Sequence, residues 1–497
     1  MNSESNAPVT PGPSPGIRWA VFIALALLAL AIRLPALGAR PMHTDESING
    51  YIIGQLLAGE PYHYDPQDRH GPVLYAVAEP VARLLGARDL AGLTESELRL
   101  TPVIFGSLMV LLFGAAAETF GFLACLVGAL LFALGPMPVY YSRYFIHETL
   151  FVAANFGLIL AGWRAWQKNS VAAGALAGLC AAVMLAAKET AGLHFFALAV
   201  AGVAAVFLPQ REKLPRLKVV AVALGVFIFL TVLLFSWFGQ TWSAFADLVH
   251  AVPRFAARAG GEGHEKPFFY YFDLIDRTWV LYLVAAAGIY SGIYDAVNRV
   301  GKAPVLLGIY GVLIFLIYSA IPYKTPWLAL NLWLPLALLC GLGITAFWQH
   351  INHGAGRWVM GIAGAFLLLL LAGETKVLVF DRPADERNPF AYAHTGDDIL
   401  GLAPRLDQLV ANNHLAQPRI NVVAADPWPL PWYLRQFSTV GYWQPGQEPT
   451  PGDFYITSSD LPAAWQTRLK DYRPEYFGVR PGVLIVLWIP PGFKVAP

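Results

Sequence analysis

The amino-acid sequence predicts a polytopic α-helical membrane protein that ends in a small α/β domain. The chain of 497 residues is 56% hydrophobic and only 13% charged, whereas soluble domains usually carry about 25% charged residues. Apolar runs close to the ~20 residues that cross a bilayer recur up to residue 380. Beyond that point, short β-rich runs alternate with helical spacing. The net charge of +1 shows no nucleic-acid footprint.

The N-terminal region combines a polar tail with an apolar run. Residues 1–16, MNSESNAPVTPGPSPG, predict a disordered cytoplasmic tail. The run at 17–39 is either a signal peptide, with Ala36-Leu37-Gly38-Ala39 loosely resembling a cleavage site, or an uncleaved spanning helix. The length of the run and the absence of a basic start favour the helix.

About eleven spanning helices are predicted from the apolar runs. Cys125, Cys180 and Cys340 lie inside such runs and have neither disulfide nor zinc spacing. The predicted spans are 17–37, 98–117, 120–138, 148–166, 171–187, 190–208, 219–238, 278–296, 304–320, 327–348 and 358–379.

The stretch 72–86, PVLYAVAEPVARLLG, decides the predicted orientation. It is apolar but short and contains Glu79-Pro80, so we assign it, together with 45–58, as a helix on the membrane surface. With this stretch outside the bilayer, the basic loops all lie on the same side of the membrane as the N-terminus. Short loops rich in Lys and Arg are normally cytoplasmic, so this side is predicted to be the cytoplasm. These loops contain Arg164, Lys168, Arg211, Lys213, Arg216, Lys218, Arg299 and Lys302.

This orientation predicts a multi-pass protein of the plasma or inner membrane with a cytoplasmic N-terminus. The transmembrane domain covers 17–380 and includes a first outer loop at 38–97. The domain at 381–497 is then extracytoplasmic.

Five outer loops collect ionisable and aromatic side chains on the extracytoplasmic face. Ionisable groups at membrane depth are costly and usually mark a functional site. Each also has an ordinary structural explanation, such as a helix cap, a local ion pair or an interfacial belt. Their gathering on one face favours a shared site. The candidates are His43, Asp45, Glu46, Arg69, His70, Arg143, His147, Glu148, Lys188, Glu189, His264, Lys266, Tyr323 and Lys324.

This set of residue types suits sugar transfer from a lipid phosphate. A carboxylate can take the proton from an attacking hydroxyl, and Arg or Lys can bind a phosphate and offset its growing charge. Surface helices and an apolar flank admit a polyprenyl chain. The predicted reaction is in-line attack at the anomeric carbon, with inversion.

Several motifs resemble a known superfamily. HTDES, HGPVLY and LRLTPVIFGSLMVLLFG resemble the GT-C polyprenyl-phosphate-sugar glycosyltransferases, which include protein O-mannosyltransferases and the aminoarabinose transferase of lipid A. A closer resemblance is to the flippase-associated family of archaeal N-glycosylation and its bacterial relatives. That resemblance covers nearly the whole chain and is carried by YYSRYFIHETLF, AAKETAG, GHEKPFFYY, PYKTPWL, NPFAYAHT and DPWPLPWYLRQF.

The resemblance implies roles for particular residues. Asp45 would be the catalytic base, with Glu46 as its neighbour, and Glu148 a second acid that supports the acceptor or the site. Many relatives have Asp at the position of Glu148, preceded by Asn or Arg rather than His147. The candidates for the donor phosphate are Arg143, Lys188 and Lys324.

No cofactor is predicted with certainty. Asp45, His147 and Glu148 could ligate a divalent metal, although nothing in the sequence requires one. The expected partners are a lipid-linked sugar, a glycan, lipid or protein acceptor, and flippase or glycosylation-pathway proteins.

Two other functions fit parts of the sequence. A component of a flippase for lipid-linked saccharides would move its substrate without chemistry, but transporters tend to show internal repeats and broken midplane helices, and the sequence shows neither. A scaffold could bind saccharide through Trp428, Trp432 and Tyr433 of the outer domain. The segment WPLPWYLRQF also fits a proline-opened helix that packs its aromatic rings inward.

Overall fold

The computed structural model describes residues 12–495, except 68, 209–213, 262, 299, 300 and 352. Predictions for the tail at 1–11 and for Arg211, Lys213 and Arg299 therefore lie outside the described residues.

Helices dominate the first three quarters of the chain, and a sheet forms in the last quarter. The α-helices are α1 (Pro15–Arg33), α2 (Thr44–Leu57), α3 (Val73–Leu85), α4 (Glu95–Phe120), α5 (Phe122–Leu134), α6 (Pro136–Tyr141), α7 (Glu148–Lys168), α8 (Val171–Ala187), α9 (Ala191–Phe207), α10 (Leu217–Phe235), α11 (Ala244–Arg258), α12 (Tyr270–Ile275), α13 (Val280–Val297), α14 (Ala303–Ala320), α15 (Ala329–His350), α16 (Gly354–Thr375), α17 (Leu402–Asn412), α18 (Leu430–Tyr433) and α19 (Ala463–Arg468). The strands are β1 (Ile420–Val423), β2 (Val440–Trp443), β3 (Phe454–Ser458), β4 (Arg473–Arg480) and β5 (Val483–Ile489).

Eight helices of the described residues are long and apolar enough to cross a membrane: α1, α4, α7, α10, α13, α14, α15 and α16. Three shorter apolar helices, α5, α8 and α9, fall on the remaining predicted runs. The chain is therefore a multi-pass integral membrane protein, as the sequence predicts. How many of the eleven helices cross the bilayer stays a prediction.

The outer surfaces of these helices carry large apolar side chains. On α16, Trp358 is 76% exposed and Leu369 is 71% exposed. On α10, Phe229 is 64% exposed. Soluble monomers rarely expose contiguous apolar patches of this kind, so lipid is the natural solvent for these faces.

Three parts of the helical pattern differ from the prediction. The run at 120–138 breaks at Gly135 into α5 and α6, because the prolines at 136 and 138 lack the N–H that an uninterrupted helix needs. Helix α4 begins three residues early, where Thr94 and Glu97 form a capping box. Helices α11 and α12 lie in a stretch interpreted only as an outer loop, since its polar residues interrupt the apolar run.

The first outer loop contains the two short helices that the sequence predicts. Helix α2 has 14 residues and α3 has 13, which is too short to span a bilayer. Helix α3 contains Pro80 and ends at Gly86, whose φ of 109° is the left-handed conformation favoured for a C-terminal cap.

Helix α15 forms the centre of the bundle. Its residues from Ala329 to Gly343 are all buried. Helix α13 packs closely against it, because a Cβ on Gly288 would lie 2.1 Å from the carbonyl oxygen of Leu339. Small residues at such crossings let membrane helices approach each other.

The C-terminal region forms a five-stranded sheet with the order β2-β1-β3-β5-β4. Strand β1 pairs in parallel with β2 and β3, while β5 runs antiparallel to β3 and β4. The sheet, with α17, confirms the predicted α/β character. The limits of the domain at 381 and 497 stay a prediction.

Helix α18 attaches this domain to the first outer loop. Trp432 is fully buried, and its Nε1 donates to Glu95 Oε1 at 2.7 Å. The backbone N–H of Met42 donates to the Tyr433 hydroxyl at 2.8 Å. These contacts agree with the proline-opened helix and leave Trp432 inaccessible to a saccharide.

Candidate active site

A cavity of about 340 Å³ lies where the first outer loop meets the ends of α7, α8 and α14. Eight of the predicted site residues line it: Asp45, Arg69, His70, His147, Glu148, Lys188, His264 and Tyr323. Its other polar lining residues are Asn49, Tyr75, Thr190, Arg258, Tyr318 and Thr325. Residues that are far apart in sequence thus share one wall.

Asp45 enters the cavity from the first turn of α2. Its side chain is 44% exposed, and Oδ1 lies 3.9 Å from Nδ1 of His43. Among the residues described, no hydrogen bond is formed to this carboxylate. The carboxylate is therefore open to a ligand in the cavity, and the helix N-terminus favours its negative charge.

Glu46 points away from the cavity and is fully buried. Arg99 donates to both carboxylate oxygens, Nε to Oε1 and Nη2 to Oε2, each at 2.8 Å. The backbone N–H of Phe145 donates to Oε1 at 2.9 Å. Burial raises the pKa of Glu46, but the positive charges of Arg99 and Arg40 outweigh that effect and lower the pKa to about 2. These contacts anchor the loop and do not support the predicted catalytic role of Glu46.

His43 also serves the loop rather than the cavity. Its Nδ1 accepts from the backbone N–H of Asp45 at 3.0 Å, and its Nε2 lies 3.1 Å from the carbonyl oxygen of Tyr392. A neutral ring protonated at Nε2 satisfies both contacts. Burial lowers the pKa of His43, which agrees with this neutral form.

Glu148 and Lys188 form an ion pair in the cavity wall. Glu148 is the first residue of α7, and Lys188 follows the last residue of α8. Lys188 Nζ donates to Glu148 Oε1, and both side chains are buried. Each partner compensates the charge of the other in a region where an unpaired charge would be costly.

The loop before α3 is held against the end of α8. A Cβ on Gly71 would lie 2.2 Å from the carbonyl oxygen of Ala186, so only glycine allows this approach. His147 Nε2 lies 3.2 Å from the Gly71 carbonyl oxygen. The contact places His70 and His147 side by side, with ring centroids 5.4 Å apart.

Glu189 lies behind His70 and does not line the cavity. Its Oε2 lies 3.0 Å from His70 Nδ1, and the Tyr64 hydroxyl donates to Oε1 at 2.7 Å. Burial raises the pKa of Glu189, but His70 and the hydrogen bonds lower it to about 2. Glu189 therefore positions His70, and its contacts do not place it among ligand-binding residues.

Two loops pair with each other beside the cavity. The N–H of Lys266 donates to the Pro322 carbonyl at 3.1 Å, and the N–H of Lys324 donates to the His264 carbonyl at 3.0 Å. The His264 and Tyr323 rings lie 4.9 Å apart and face the cavity. Lys266 Nζ sits 5.3 Å from the ring centroid of Tyr392 instead.

Two of the three candidates for a donor phosphate do not line the cavity. Arg143 donates to the carbonyl oxygens of residues 33, 35 and 36 at the end of α1. Lys324 Nζ donates to the carbonyl oxygens of Lys266 and Ile321. The contacts favour the helix-capping interpretation of Arg143 and leave Lys188 as the candidate at the cavity.

The structure adds residues to which the sequence assigned no role. Arg258, at the end of α11, lines the cavity beside Phe255. Arg99 holds Glu46, as described above. A charged residue inside the apolar stretch ELRLTPV was the available signal for Arg99, because arginine at that depth needs a partner. No sequence pattern indicated Arg258 apart from its place in a basic outer loop.

Metal-binding geometry is absent from the part of the chain that the structure describes. No three His, Cys, Asp or Glu side chains are grouped there as ligands.

Comparison with known proteins agrees with this architecture. The family model for dolichyl-phosphate-mannose-protein mannosyltransferases matches residues 70–237, about a third of the chain. No protein with a curated function matches the sequence.

Three solved structures are similar over most of the chain. ArnT from Cupriavidus metallidurans bound to undecaprenyl phosphate has a TM-score of 0.64 at 15% identity and covers 96% of this chain and 98% of its own. The archaeal oligosaccharyltransferase AglB from Archaeoglobus fulgidus, with an inhibitory peptide and a dolichol-phosphate, has a TM-score of 0.58 at 13% identity, covering 93% and 74%. The mycobacterial arabinofuranosyltransferase AftD has a TM-score of 0.53 at 15% identity, covering 97% and 40%.

At these identities the likeness concerns the fold. It confirms the fold that the resemblance to the GT-C superfamily implies, while the closer resemblance to the flippase-associated family stays a prediction. Over nearly its whole length, this chain has the fold of the GT-C membrane glycosyltransferases.

Proposed function

We propose that this protein is a glycosyltransferase that moves a sugar from a polyprenyl-phosphate donor to an extracytoplasmic acceptor. Asp45 is the general base, and the reaction inverts the anomeric carbon. The observation that carries this proposal is the cavity itself. It brings an accessible carboxylate, Asp45, together with the cations Arg69, Lys188 and Arg258.

The cavity can serve both halves of such a reaction. The Asp45 carboxylate takes the proton of the acceptor hydroxyl as its oxygen bonds to the anomeric carbon. The bond from that carbon to the phosphate oxygen breaks, and the electron pair leaves with the polyprenyl phosphate. Arg69, Lys188 and Arg258 offset the negative charge that the phosphate gains.

Glu148 keeps Lys188 in place in this scheme. Because the ammonium donates to Glu148 Oε1, its position is fixed before the donor arrives. A preorganised charge stabilises a developing anion without reorganising during the reaction. Glu148 is then a positioning residue.

The donor class is supported by the ligands of two proteins with the same fold. The ArnT structure contains undecaprenyl phosphate, and the AglB structure contains a dolichol-phosphate. The AglB structure also contains a peptide, which supports a macromolecular acceptor as one possibility beside a glycan or lipid.

The orientation follows from the charges at the other ends of the helices. Helix α7 begins at Glu148 in the cavity wall and ends near Arg164 and Lys168. Helix α10 begins next to Arg216 and contains Lys218 in its first turn. Because short basic loops stay in the cytoplasm, the cavity and the C-terminal sheet lie on the extracytoplasmic side of the membrane.

The decisive experiment replaces Asp45 by Asn in the full chain, reconstituted in lipid. Asp45→Asn removes the base with little change in shape, so we expect sugar transfer to fall by about 10²-fold or more. The Asp45→Asn variant should still fold and should bind undecaprenyl phosphate as the wild type does.

Glu60→Gln is a matched control, because Glu60 is an exposed carboxylate just beyond the other end of α2. It should keep full activity. Full transfer activity in Asp45→Asn would reject the assignment of the base. Transport of a lipid-linked sugar by the wild type without any transfer would reject the enzyme in favour of a flippase component.

A further inference from the structure

A chain of buried polar side chains runs from the middle of the bundle to the cavity. It links Asn155 on α7, Tyr310 on α14, His194 on α9 and Tyr318 on α14. Asn155 and His194 have no exposed surface, Tyr310 is 1% exposed and Tyr318 is 3% exposed. Polar groups are costly at this depth and usually serve a function. Apart from Tyr318, the chain lies behind the cavity lining.

Three hydrogen bonds join the four residues. Asn155 Nδ2 donates to the Tyr310 hydroxyl oxygen at 2.7 Å. His194 Nδ1 lies 2.8 Å from the same hydroxyl, and His194 Nε2 lies 3.0 Å from the Tyr318 hydroxyl. The Phe151 ring packs edge-on against the imidazole, with the centroids 4.9 Å apart. The packing leaves the imidazole between the two tyrosines.

The donors and acceptors of this chain have a definite order. An amide nitrogen can only donate, so the Tyr310 oxygen accepts from Asn155 and its proton goes to His194 Nδ1. A neutral imidazole then carries its proton on Nε2 and donates it to the Tyr318 oxygen. The proton of Tyr318 is left to point away from His194.

The amide orientation of Asn155 is the starting point of this order. Its Oδ1 has no hydrogen-bond partner among the described residues. The opposite orientation would leave an NH₂ group with two unpaired protons at that apolar position. A carbonyl oxygen without a partner is the better tolerated of the two.

The far end of the chain is in the cavity wall. Tyr318 lines the cavity, and Thr190, at the start of α9, lines it as well. Because its proton points away from His194, the Tyr318 hydroxyl offers the cavity a donor, which suits a ligand with anionic oxygens.

We propose that Tyr318 donates a hydrogen bond to a phosphate oxygen of the lipid donor, and that Asn155, through Tyr310 and His194, fixes the direction of that bond. This inference rests on the proposed function for the identity of the donor lipid. Tyr318 contacts the ligand, and the other three are positioning residues. These three residues make the Tyr318 hydroxyl point its proton towards the cavity. Without them, the Tyr318 hydroxyl could rotate and present an oxygen lone pair to the cavity instead.

The test measures equilibrium binding by the full chain in lipid nanodiscs with two probes. Undecaprenyl phosphate carries the anionic oxygens, and undecaprenol has the same prenyl tail without the phosphate. We expect Tyr318→Phe to weaken binding of the phosphate about tenfold to a hundredfold, the range for a hydrogen bond to a charged group. Binding of undecaprenol should be unchanged.

Variants away from the cavity test the donor and acceptor order of the hydrogen bonds from Asn155 to Tyr318. Asn155→Leu and His194→Leu should weaken phosphate binding several-fold and spare undecaprenol. His194→Gln, which can accept with its oxygen and donate with its nitrogen, should restore most of the affinity. Tyr282→Phe is the matched control, because its hydroxyl donates to the Phe272 carbonyl at 3.1 Å and the residue does not line the cavity.

Unchanged phosphate binding in Tyr318→Phe overturns the proposal, and so does an equal loss for both probes. If Asn155→Leu binds the phosphate normally while Tyr318→Phe binds it weakly, the hydrogen bonds from Asn155 do not orient Tyr318, and that part of the proposal fails. No sugar is needed for these measurements. A wild type that binds undecaprenyl phosphate but transfers nothing refutes the enzyme and leaves this inference standing.

Discussion

Replacement of Glu46 by Gln should destabilise the fold rather than remove a reacting group. The carboxylate accepts two hydrogen bonds of 2.8 Å from Arg99, one from Phe145 and one from the backbone N–H of His43 at 3.2 Å. A Gln side chain can replace only one acceptor oxygen. Its NH₂ group would face the donors that now bind Oε2, and Arg99 would remain buried without the counter-charge of Glu46.

The size of the expected loss of unfolding free energy follows from two arguments. Breaking a buried ion pair by changing one partner costs about 3–5 kcal/mol. The pKa of Glu46 lies at about 2 instead of its ordinary 4.5, and a shift of that size corresponds to about 3 kcal/mol. We expect Glu46→Gln to lose about 3 kcal/mol of unfolding free energy, measured by reversible SDS titration in bicelles.

The same shift predicts a pH dependence with a definite sign. Because folding lowers the pKa, the stabilisation is complete above about pH 4.5 and is lost as the pH falls towards 2. The wild type should therefore lose more stability between pH 5 and 3 than Glu46→Gln does.

Activity measured per folded molecule separates this role from catalysis. Glu46→Gln should transfer sugar at a rate close to that of the wild type once the folded fraction is counted, and Glu60→Gln should match the wild type in every assay. A Glu46→Gln protein as stable as the wild type, yet inactive, would refute the structural assignment.

Three further predictions concern other contacts. Lys188→Met should leave Glu148 without its counter-charge and reduce undecaprenyl phosphate binding at least tenfold, measured in nanodiscs; normal binding would exclude a phosphate role for Lys188. Arg143→Ala should lower stability by about 2–3 kcal/mol, because carbonyls at the end of α1 lose their donors, and should spare phosphate binding; a selective binding loss would contradict the capping role. Trp432→Phe removes the bond to Glu95 and should cost about 1.5–3 kcal/mol, seen as faster proteolysis of the C-terminal domain; unchanged proteolysis would argue against α18 as its attachment.

The sequence by itself determined the class of the protein and the face on which its unusual groups gather. Hydropathy and the placement of Lys and Arg are local properties of a membrane chain, because the bilayer sets the length of a span and the charge of a short loop. The apolar runs therefore coincide with helices, and the acidic pair lies in the first turn of α2, whose N-cap is His43.

Only the tertiary structure decided which member of each charged set faces the cavity. Successive residues on a helix project about 100° apart, so Asp45 and Glu46 had to diverge, and the position of Arg99 decided which of them turned inward. Arg143 and Lys188 were equivalent as cations until the carbonyls at the end of α1 and the carboxylate of Glu148 distinguished them. The sheet order and the chain from Asn155 to Tyr318 likewise depend on contacts between distant segments, which no local pattern encodes.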